Sequence, residues 1–214
     1  MTTTPPDFDA NFRSKLHDLL IWRRDVRRFR TDSLPSDTLT RLIDAARLAP
    51  SVGLSEPSRF VVVSSDARRR AIRGNFEHAN KEALEGYKGE RAQLYASLKL
   101  SGMEAAPLQI AVFADEETDQ GHALGRASMP ETLIYSTVTA IHTMWLVARA
   151  EGIGIGWVSI LEPSEVPKIL DTHAAWRFVA YLCIGFPEAE SETPALEDAG
   201  WEHRRPGGNF IIER

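Results

Sequence analysis

The residues with the clearest chemical capability lie in one short segment near the N-terminus, residues 23–30. It contains five arginines and a single carboxylate, Asp25. Guanidinium groups bind phosphate through paired, planar hydrogen bonds, and a cluster this dense is repulsive unless an anion neutralises it. The segment therefore predicts a phosphate site that contains an acidic group. For an isolated basic run, a solvated basic turn or a nucleic-acid patch is the alternative.

The composition of the chain bears on these alternatives. The chain has 214 residues, of which 43% are hydrophobic, and a formal net charge of -5 at pH 7. A nucleic-acid backbone requires an extended basic surface, so this acidic chain argues against a nucleic-acid partner. No signal-peptide pattern and no apolar run near the ~20 residues of a membrane span occurs, so we expect a cytoplasmic protein without a membrane partner.

Two other side chains that could do chemistry, Cys183 and His142, are weaker candidates. Cys183 is the only cysteine and lies in an apolar, strand-like run, so a disulfide within the chain and a CxxC site are excluded and a nucleophilic role is disfavoured. His142 lies in an apolar helix without a second ligand at metal-binding spacing. We interpret it as a packed or capped side chain and expect no metal site.

The elements that must position the arginine segment can be predicted from periodicity and composition. Predicted helices cover 12–22, 35–50, 132–149 and 163–170, and predicted strands cover 59–64, 109–114, part of 152–161 and 177–187. The helix over 132–149 is the most apolar, so we expect it in the core or at a dimer interface. Strands separated by helices, without regular hairpins, indicate an α/β or α+β protein.

Three glycine-bearing segments raise further questions about ligand binding. Residues 49–58 could bring backbone N–H groups and a serine hydroxyl to a ligand, although a plain connector is the commoner outcome. Residues 66–106 predict a lid or a partner-facing arm, with a solvated pair of helices as the alternative. The glycines of 152–156 enter a strand rather than leave one, so they are not a dinucleotide fingerprint.

Seven short motifs together resemble the nitroreductase-like flavoproteins over nearly the whole chain. They are RRDVRRF from Arg23, APSVG from Ala49, LKL from Leu98, MPETL from Met129, GWVSIL from Gly156, LCIG from Leu182, and GWE from Gly200 with Arg204 two residues beyond. Within that superfamily the chain is most similar to the 5,6-dimethylbenzimidazole synthases, which fragment flavin. The resemblance implies an α+β, nitroreductase-like FMN-dependent fold with a mixed central sheet flanked by helices. It also implies one domain over 1–214, a lid over 66–106, and a homodimer with the flavin at the interface.

The resemblance also implies roles for individual residues in binding FMN. Arg23, Arg24 and Arg27 would hold the phosphate and ribityl chain, with Val26 in the same segment. Ser51 would make a polar contact, and Leu100 would cover the isoalloxazine ring. Ser159 would also contact the flavin, and Arg204 in the tail would supply positive charge. The loop after Gly53 departs from the family pattern, because Glu56 and Ser58 stand where a glutamine and a tryptophan are often found.

Two residues are implied to be catalytic, Asp25 and Ser159. Ordinary nitroreductases usually carry a serine at the position of Asp25, and a carboxylate there can act as an acid or a base. The alternative is an ion pair with the neighbouring arginines, which would lower the pKa of Asp25. Ser159 is expected near the flavin N5 edge, and a satisfied core hydroxyl is its alternative.

The reaction implied by the resemblance is the oxygen-dependent fragmentation of reduced FMN. FMN would be the substrate and dioxygen the co-substrate, and the products would be 5,6-dimethylbenzimidazole, the lower ligand of cobalamin, and erythrose 4-phosphate. A separate flavin reductase could be a partner. Two other functions stay open, namely an NAD(P)H-dependent FMN nitroreductase or quinone reductase, and a non-catalytic FMN carrier.

Overall fold

The structure is a computed structural model that describes residues 5–205, 207 and 210–214. Its helices are α1 (Ala10–Trp22), α2 (Thr38–Ala46), α3 (Asp66–Glu85), α4 (Gly89–Ser97), α5 (Thr132–Ala150), α6 (Val166–Leu170) and α7 (Ala195–Asp198). Its strands are β1 (Ser58–Val62), β2 (Leu108–Asp115), β3 (Gly154–Val158) and β4 (Trp176–Gly185). Within this described part of the chain, no helix is both long and apolar enough to cross a membrane.

A four-stranded sheet with the order β1-β2-β4-β3 forms the centre of the fold. Successive residues of a strand point to opposite faces. In β2, Ile110 and Val112 pack with α2 and α5, whereas Ala111 and Phe113 pack with α3 and α6. Helices therefore cover both faces of the sheet, which confirms the predicted α+β class.

The sheet differs in one respect from the mixed sheet that the resemblance implies. All pairings between the four strands are antiparallel, and the parallel pairing found in the described residues is a single bridge between Asp25 and Ile155. At this bridge the Val26 N–H donates to the Ile155 carbonyl (3.0 Å). Further along, the Arg30 N–H donates to the Phe186 carbonyl (2.8 Å). The arginine segment is thus an irregular strand along the edge of the sheet rather than a solvated turn.

Two glycines of β3 allow the arginine segment to lie so close to the sheet. A Cβ added at Gly154 would lie 2.7 Å from Val26 Cγ2, and one added at Gly156 would overlap the Val26 carbonyl oxygen. A side-chain methyl group can turn aside, but a backbone oxygen within a paired segment cannot. Glycine at position 156 is therefore required for the close approach of the two backbones.

Helix α5 is the central helix, as its composition predicts, but its buried and exposed faces differ from the predicted ones. The buried residues are Leu133, Ser136, Thr137, Ala140, Ile141, Met144, Trp145 and Ala148. Val138, which the periodicity places on the core face, is 38% exposed, and Tyr135 is 55% exposed. His142 is exposed as well, so our interpretation of it as a packed side chain is wrong. These three residues lie away from the stripe that faces the sheet, so α5 presents apolar surface to the outside.

Residues 66–106 contain helices α3 and α4 and then return to the sheet. The buried Gln109 side chain stabilises this connection to the sheet. Its Nε2 donates to the Met103 carbonyl (2.8 Å), and its Oε1 accepts from the Tyr181 hydroxyl (2.7 Å). The pair of helices named as the alternative for this segment is therefore present. Its function as a lid, and the assignment of 1–214 to one domain, stay predictions.

Candidate active site

The arginine segment forms the floor of a cavity of about 340 Å³. One wall is the end of the 66–106 segment, at 97–99, and the other is formed by residues of 188–199, which include α7. Its charged lining residues are Arg24, Asp25, Arg27, Arg28 and Lys99, with Glu188 and Asp198 opposite. A cavity of this size falls within the range of small-molecule sites, and its excess of cations favours an anionic ligand.

Asp25 lies at the base of this cavity and is held by two contacts. Its Oδ1 accepts a hydrogen bond from the Trp157 backbone N–H (2.8 Å), and its Oδ2 accepts one from the Arg27 guanidinium. The side chain is 41% exposed because it faces the open cavity, but protein surrounds it on the other sides. This burial raises the pKa of Asp25 and outweighs the lowering by Arg27 and by the Trp157 N–H. The ion pair with Arg27 that the alternative expects is therefore present, but the pKa of Asp25 is raised rather than lowered.

Arg24 and Arg27 each have part of their hydrogen-bonding capacity left for a ligand. The Arg27 Nη2 donates to Asp25 and to the Trp157 carbonyl (2.6 Å), whereas its Nη1 is buried without a hydrogen-bond partner among the described residues. The Arg24 Nε is likewise buried without a hydrogen-bond partner among the described residues. Burial, followed by the charges of Arg23 and Arg204, lowers the pKa of Arg24. Orphaned N–H groups and mutually repelling cations both fit a bound phosphate.

Three other residues predicted to contact FMN, in or near the arginine segment, differ in their position relative to the cavity. Val26 lines the cavity beside Arg24. Arg204 is exposed in the tail, but it lies near enough to Arg24 to affect its pKa. Arg23 does not line the cavity, because its guanidinium lies over the Trp145 ring, 5.2 Å from the ring centroid.

Ser51 lies apart from the arginine segment within this chain. It lines a second cavity of about 190 Å³ that shares no lining residue with the first. Its Oγ accepts a hydrogen bond from the Glu56 N–H (3.1 Å), and the Glu56 side chain is exposed. The Ser58 hydroxyl donates to Thr137 Oγ1 (3.4 Å). A single chain therefore does not bring Ser51 to the arginine cluster.

Leu100 and Ser159 do not line the cavity. Leu100 is half-buried against the hydrophobic core, while the preceding Leu98 and Lys99 line the wall. Ser159 is exposed and follows the end of β3, so the alternative of a satisfied core hydroxyl is wrong. It lies two residues beyond Trp157, whose backbone holds Asp25 and Arg27.

Two parts of the site were missed by sequence reasoning. Trp157 acts through its backbone N–H and carbonyl, and backbone contacts leave no residue-type pattern to recognise. The wall over 188–199 is rich in small and acidic residues, which resemble an ordinary surface loop. The one signal in that region was the GWE motif from Gly200, directly after α7.

Cys183 lies in the middle of β4 and is fully buried. Burial raises the pKa of its thiol to about 12. A thiol with this pKa is almost entirely protonated at neutral pH, and the thiolate is the nucleophilic form. The expectation that Cys183 is a poor nucleophile is confirmed.

Comparison with known proteins supports a flavoprotein fold. Residues 20–186 match the nitroreductase family. The 5,6-dimethylbenzimidazole synthase of Rhodospirillum rubrum is 55% identical over 203 residues, which cover 95% of this chain and 96% of that protein. The enzyme of the same name from Rhodobacter capsulatus is 48% identical over 200 residues, covering 94% and 97%. Iodotyrosine deiodinase bound to FMN and 3-iodo-L-tyrosine is similar in fold, with a TM-score of 0.70 at 22% identity over 92% of this chain and 97% of that chain.

Proposed function

This chain belongs to the nitroreductase family and, within it, to the family of the 5,6-dimethylbenzimidazole synthases, and from that premise we propose that it fragments reduced FMN with dioxygen. The products are 5,6-dimethylbenzimidazole, which supplies the lower ligand of cobalamin, and erythrose 4-phosphate. The observation that carries the proposal is a carboxylate with a raised pKa in a cavity whose floor is otherwise cationic. Reduced FMN supplies the ring that is broken, and dioxygen is the oxidant.

Arg24 and Arg27 are proposed to hold the phosphate and ribityl chain. Both residues line the cavity and carry a buried N–H group without a partner among the described residues, and charge-assisted hydrogen bonds to phosphate are stronger than those to a neutral group. Arg204 in the tail contributes further positive charge near Arg24. Arg23 does the same from outside the cavity, with its guanidinium over the Trp145 ring.

Asp25 is the proposed acid–base residue of the fragmentation. General acid–base catalysis is most efficient when the pKa of the group is near the working pH, and burial moves the pKa of Asp25 upward in that direction. The Trp157 N–H and Arg27 hold the carboxylate in one orientation toward the cavity. Ser159 is proposed at the N5 edge, where its exposed hydroxyl can meet a ligand that extends to the rim of the cavity. Leu100 is proposed to cover the ring from the lid.

The working form is proposed to be a homodimer with the flavin between the two chains. Ser51 lies in a cavity separate from that of Arg24 and Arg27, so it meets the same flavin only when a second copy supplies it. Apolar residues on the outer face of α5 and along α1 support an interface: Tyr135 and Val138, and Phe12, Leu16 and Leu20, are all exposed. Exposed apolar residues grouped in this way are typical of protein–protein contacts.

The test is incubation of the protein with FMN, a chemical reductant and air, followed by mass spectrometry for 5,6-dimethylbenzimidazole. We expect the product in air and none under anaerobic conditions. Reduction of bound FMN by NAD(P)H without fragmentation would instead establish a nitroreductase, and an intact flavin under all conditions would establish a carrier. A separate flavin reductase can replace the chemical reductant in a second arm, and the product should be the same.

A further inference from the structure

The two walls of the cavity are joined by an aromatic cluster that lies outside it. Tyr87 and Tyr95, from the lid, stack with ring centroids 4.9 Å apart, and Trp201 packs at an angle to both, at 5.4 and 6.0 Å. The Arg91 guanidinium lies 4.5 Å from the centroid of the Trp201 ring. We call these four residues the clasp.

Local structure fixes Trp201 to the tail wall. Gly200 adopts a left-handed conformation (φ 71°) at the end of α7, where its N–H donates to the Glu197 carbonyl (2.9 Å). The Trp201 N–H donates to the Leu196 carbonyl (2.8 Å), which completes a glycine-terminated helix cap. Since Leu196 lines the cavity, the indole is attached directly to the wall.

The lid side of the clasp is equally close to the cavity. Tyr95 is buried near the end of α4, and the residues that follow at 97–99 line the cavity. The Tyr95 hydroxyl donates to Asn80 Oδ1 (2.8 Å), which ties α4 to α3. Within the described residues, one hydrogen bond links 66–99 to 188–205, from Arg91 Nη1 to the Trp201 carbonyl (2.8 Å). These contacts between the lid and the tail wall all involve Trp201, through its ring or through its backbone carbonyl.

We propose that the clasp keeps the lid against the tail wall, and that Trp201 is a positioning residue which controls how fast flavin leaves the cavity. This rests on the proposed function, because the ligand that the lid retains is taken to be FMN. Aromatic pairs and cation–π contacts are individually weak, so the clasp can open and close reversibly while the sheet stays intact. None of the four side chains needs to touch the ligand.

The test compares Trp201→Ala and Arg91→Gln with Arg70→Gln, which removes an exposed charge from the same segment at a residue outside the clasp. The first measurement is limited trypsin cleavage at Lys88 and Lys99 in flavin-free protein. The second is the rate at which bound FMN dissociates, followed by the recovery of flavin fluorescence. For Trp201→Ala we expect both rates to rise about tenfold, which corresponds to about 1.4 kcal/mol. Arg91→Gln should show a smaller rise in both, Trp201→Phe should restore most of the wild-type behaviour, and Arg70→Gln should match the wild type.

Each result bears on a separate part of the proposal. Wild-type cleavage rates in Trp201→Ala and Arg91→Gln would overturn the hold of the clasp on the lid. Faster cleavage with unchanged FMN release would overturn its control of the flavin and leave a purely structural contact. If the wild-type protein bound no FMN, the proposed function and the control of flavin release would both be overturned, while the cleavage experiment would still decide the attachment of the lid.

Discussion

Among individual residues, the proposed chemistry depends most on how Asp25 is held. One oxygen accepts from a backbone N–H and the other from Arg27, and burial raises the pKa of the carboxyl group. Asparagine in its place would keep a carbonyl oxygen that can accept the Trp157 N–H, but it cannot exchange a proton. The substitution Asp25→Asn therefore separates the positioning of this side chain from proton transfer.

We expect Asp25→Asn to lower the yield of 5,6-dimethylbenzimidazole by roughly 10²- to 10⁴-fold, the range typical of lost general acid–base catalysis. FMN affinity should change little, because Arg27 remains held by the Trp157 carbonyl. Affinity and yield should be measured on one preparation, with Ser159→Ala beside it as the test of the N5 edge. Full product yield from Asp25→Asn would remove this carboxylate from the mechanism.

The raised pKa of Asp25 also predicts how stability depends on pH. A carboxyl group whose pKa is higher in the folded than in the unfolded state favours folding while it is protonated, and that contribution is lost as pH rises through the folded-state pKa. Asparagine does not titrate, so the variant does not lose stability through this effect. We therefore expect Asp25→Asn to gain stability relative to the wild type as the pH is raised from about 4 to about 8. Thermal unfolding of both proteins across this range checks the sign, and an opposite trend would show that the ion pair with Arg27 dominates.

The phosphate assignment of Arg24 predicts a dependence on the ligand. FMN should bind more tightly than riboflavin, because a charge-assisted hydrogen bond contributes about 1.5 to 3 kcal/mol. Arg24→Gln should reduce that preference and leave riboflavin binding nearly unchanged. Arg30→Gln is the matched control, since Arg30 belongs to the same segment but is exposed and paired with Asp32. Flavin fluorescence quenching measures both affinities, and equal binding of FMN and riboflavin by the wild type would contradict the assignment.

At the scale of elements, the decisive arrangement is the contact between the arginine segment and β3. The segment pairs with β3 through the Val26 N–H, and the backbone of Gly156 lies against the Val26 carbonyl. The position of the cavity floor thus depends on a strand that is distant along the chain. A small change in β3 should therefore alter FMN binding at the proposed site.

We expect Gly156→Ala to weaken FMN binding and to lower the unfolding temperature, because the added methyl group would push residues 24–28 away from the sheet. The control is Gly74→Ala in α3, where an added Cβ would have no neighbour within 4 Å. That substitution should stabilise the protein by about 0.5 to 1 kcal/mol through helix propensity. Thermal unfolding and FMN titration test both variants, and normal FMN binding by Gly156→Ala would show that the close approach is not needed.

At the scale of the whole molecule, the two cavities divide the proposed flavin contacts between separate regions. The arginine cavity has Asp25 and the tail wall, whereas Ser51 belongs to the other cavity. The outer face of α5 carries exposed apolar residues. These observations agree with a site that is completed by a second copy of the chain.

We expect Val138→Glu to convert the proposed dimer to monomers and to weaken FMN binding in parallel, because a buried charge would face the second copy and the proposed Ser51 contact would be lost. Ala174→Glu introduces the same charge at an exposed position between α6 and β4, so it should remain dimeric. Light scattering and FMN titration across a range of protein concentrations measure both effects. A wild-type protein that is monomeric and still binds FMN would rule out the proposed dimer.

The family, the main elements and the candidate site segment could be predicted from the amino-acid sequence, because the signals for them are local. Charge density marked residues 23–30 as a candidate phosphate segment, periodicity located α5 and the strands of the sheet, and the motifs that include this segment identified the family. The amphipathic pattern was less reliable for the faces of α5, where Val138 and His142 proved to be exposed.

The surroundings of these residues could not be predicted from the sequence, because they depend on the fold. The Trp157 N–H that holds Asp25 lies 132 residues away in the sequence, and the direction of the Asp25 pKa depends on how much water the fold removes around it. Tertiary packing also turned Arg23 onto Trp145 and placed Ser51 in a separate cavity. A local pattern records which side chains are present, whereas desolvation and backbone contacts depend on which distant segments the fold brings beside them.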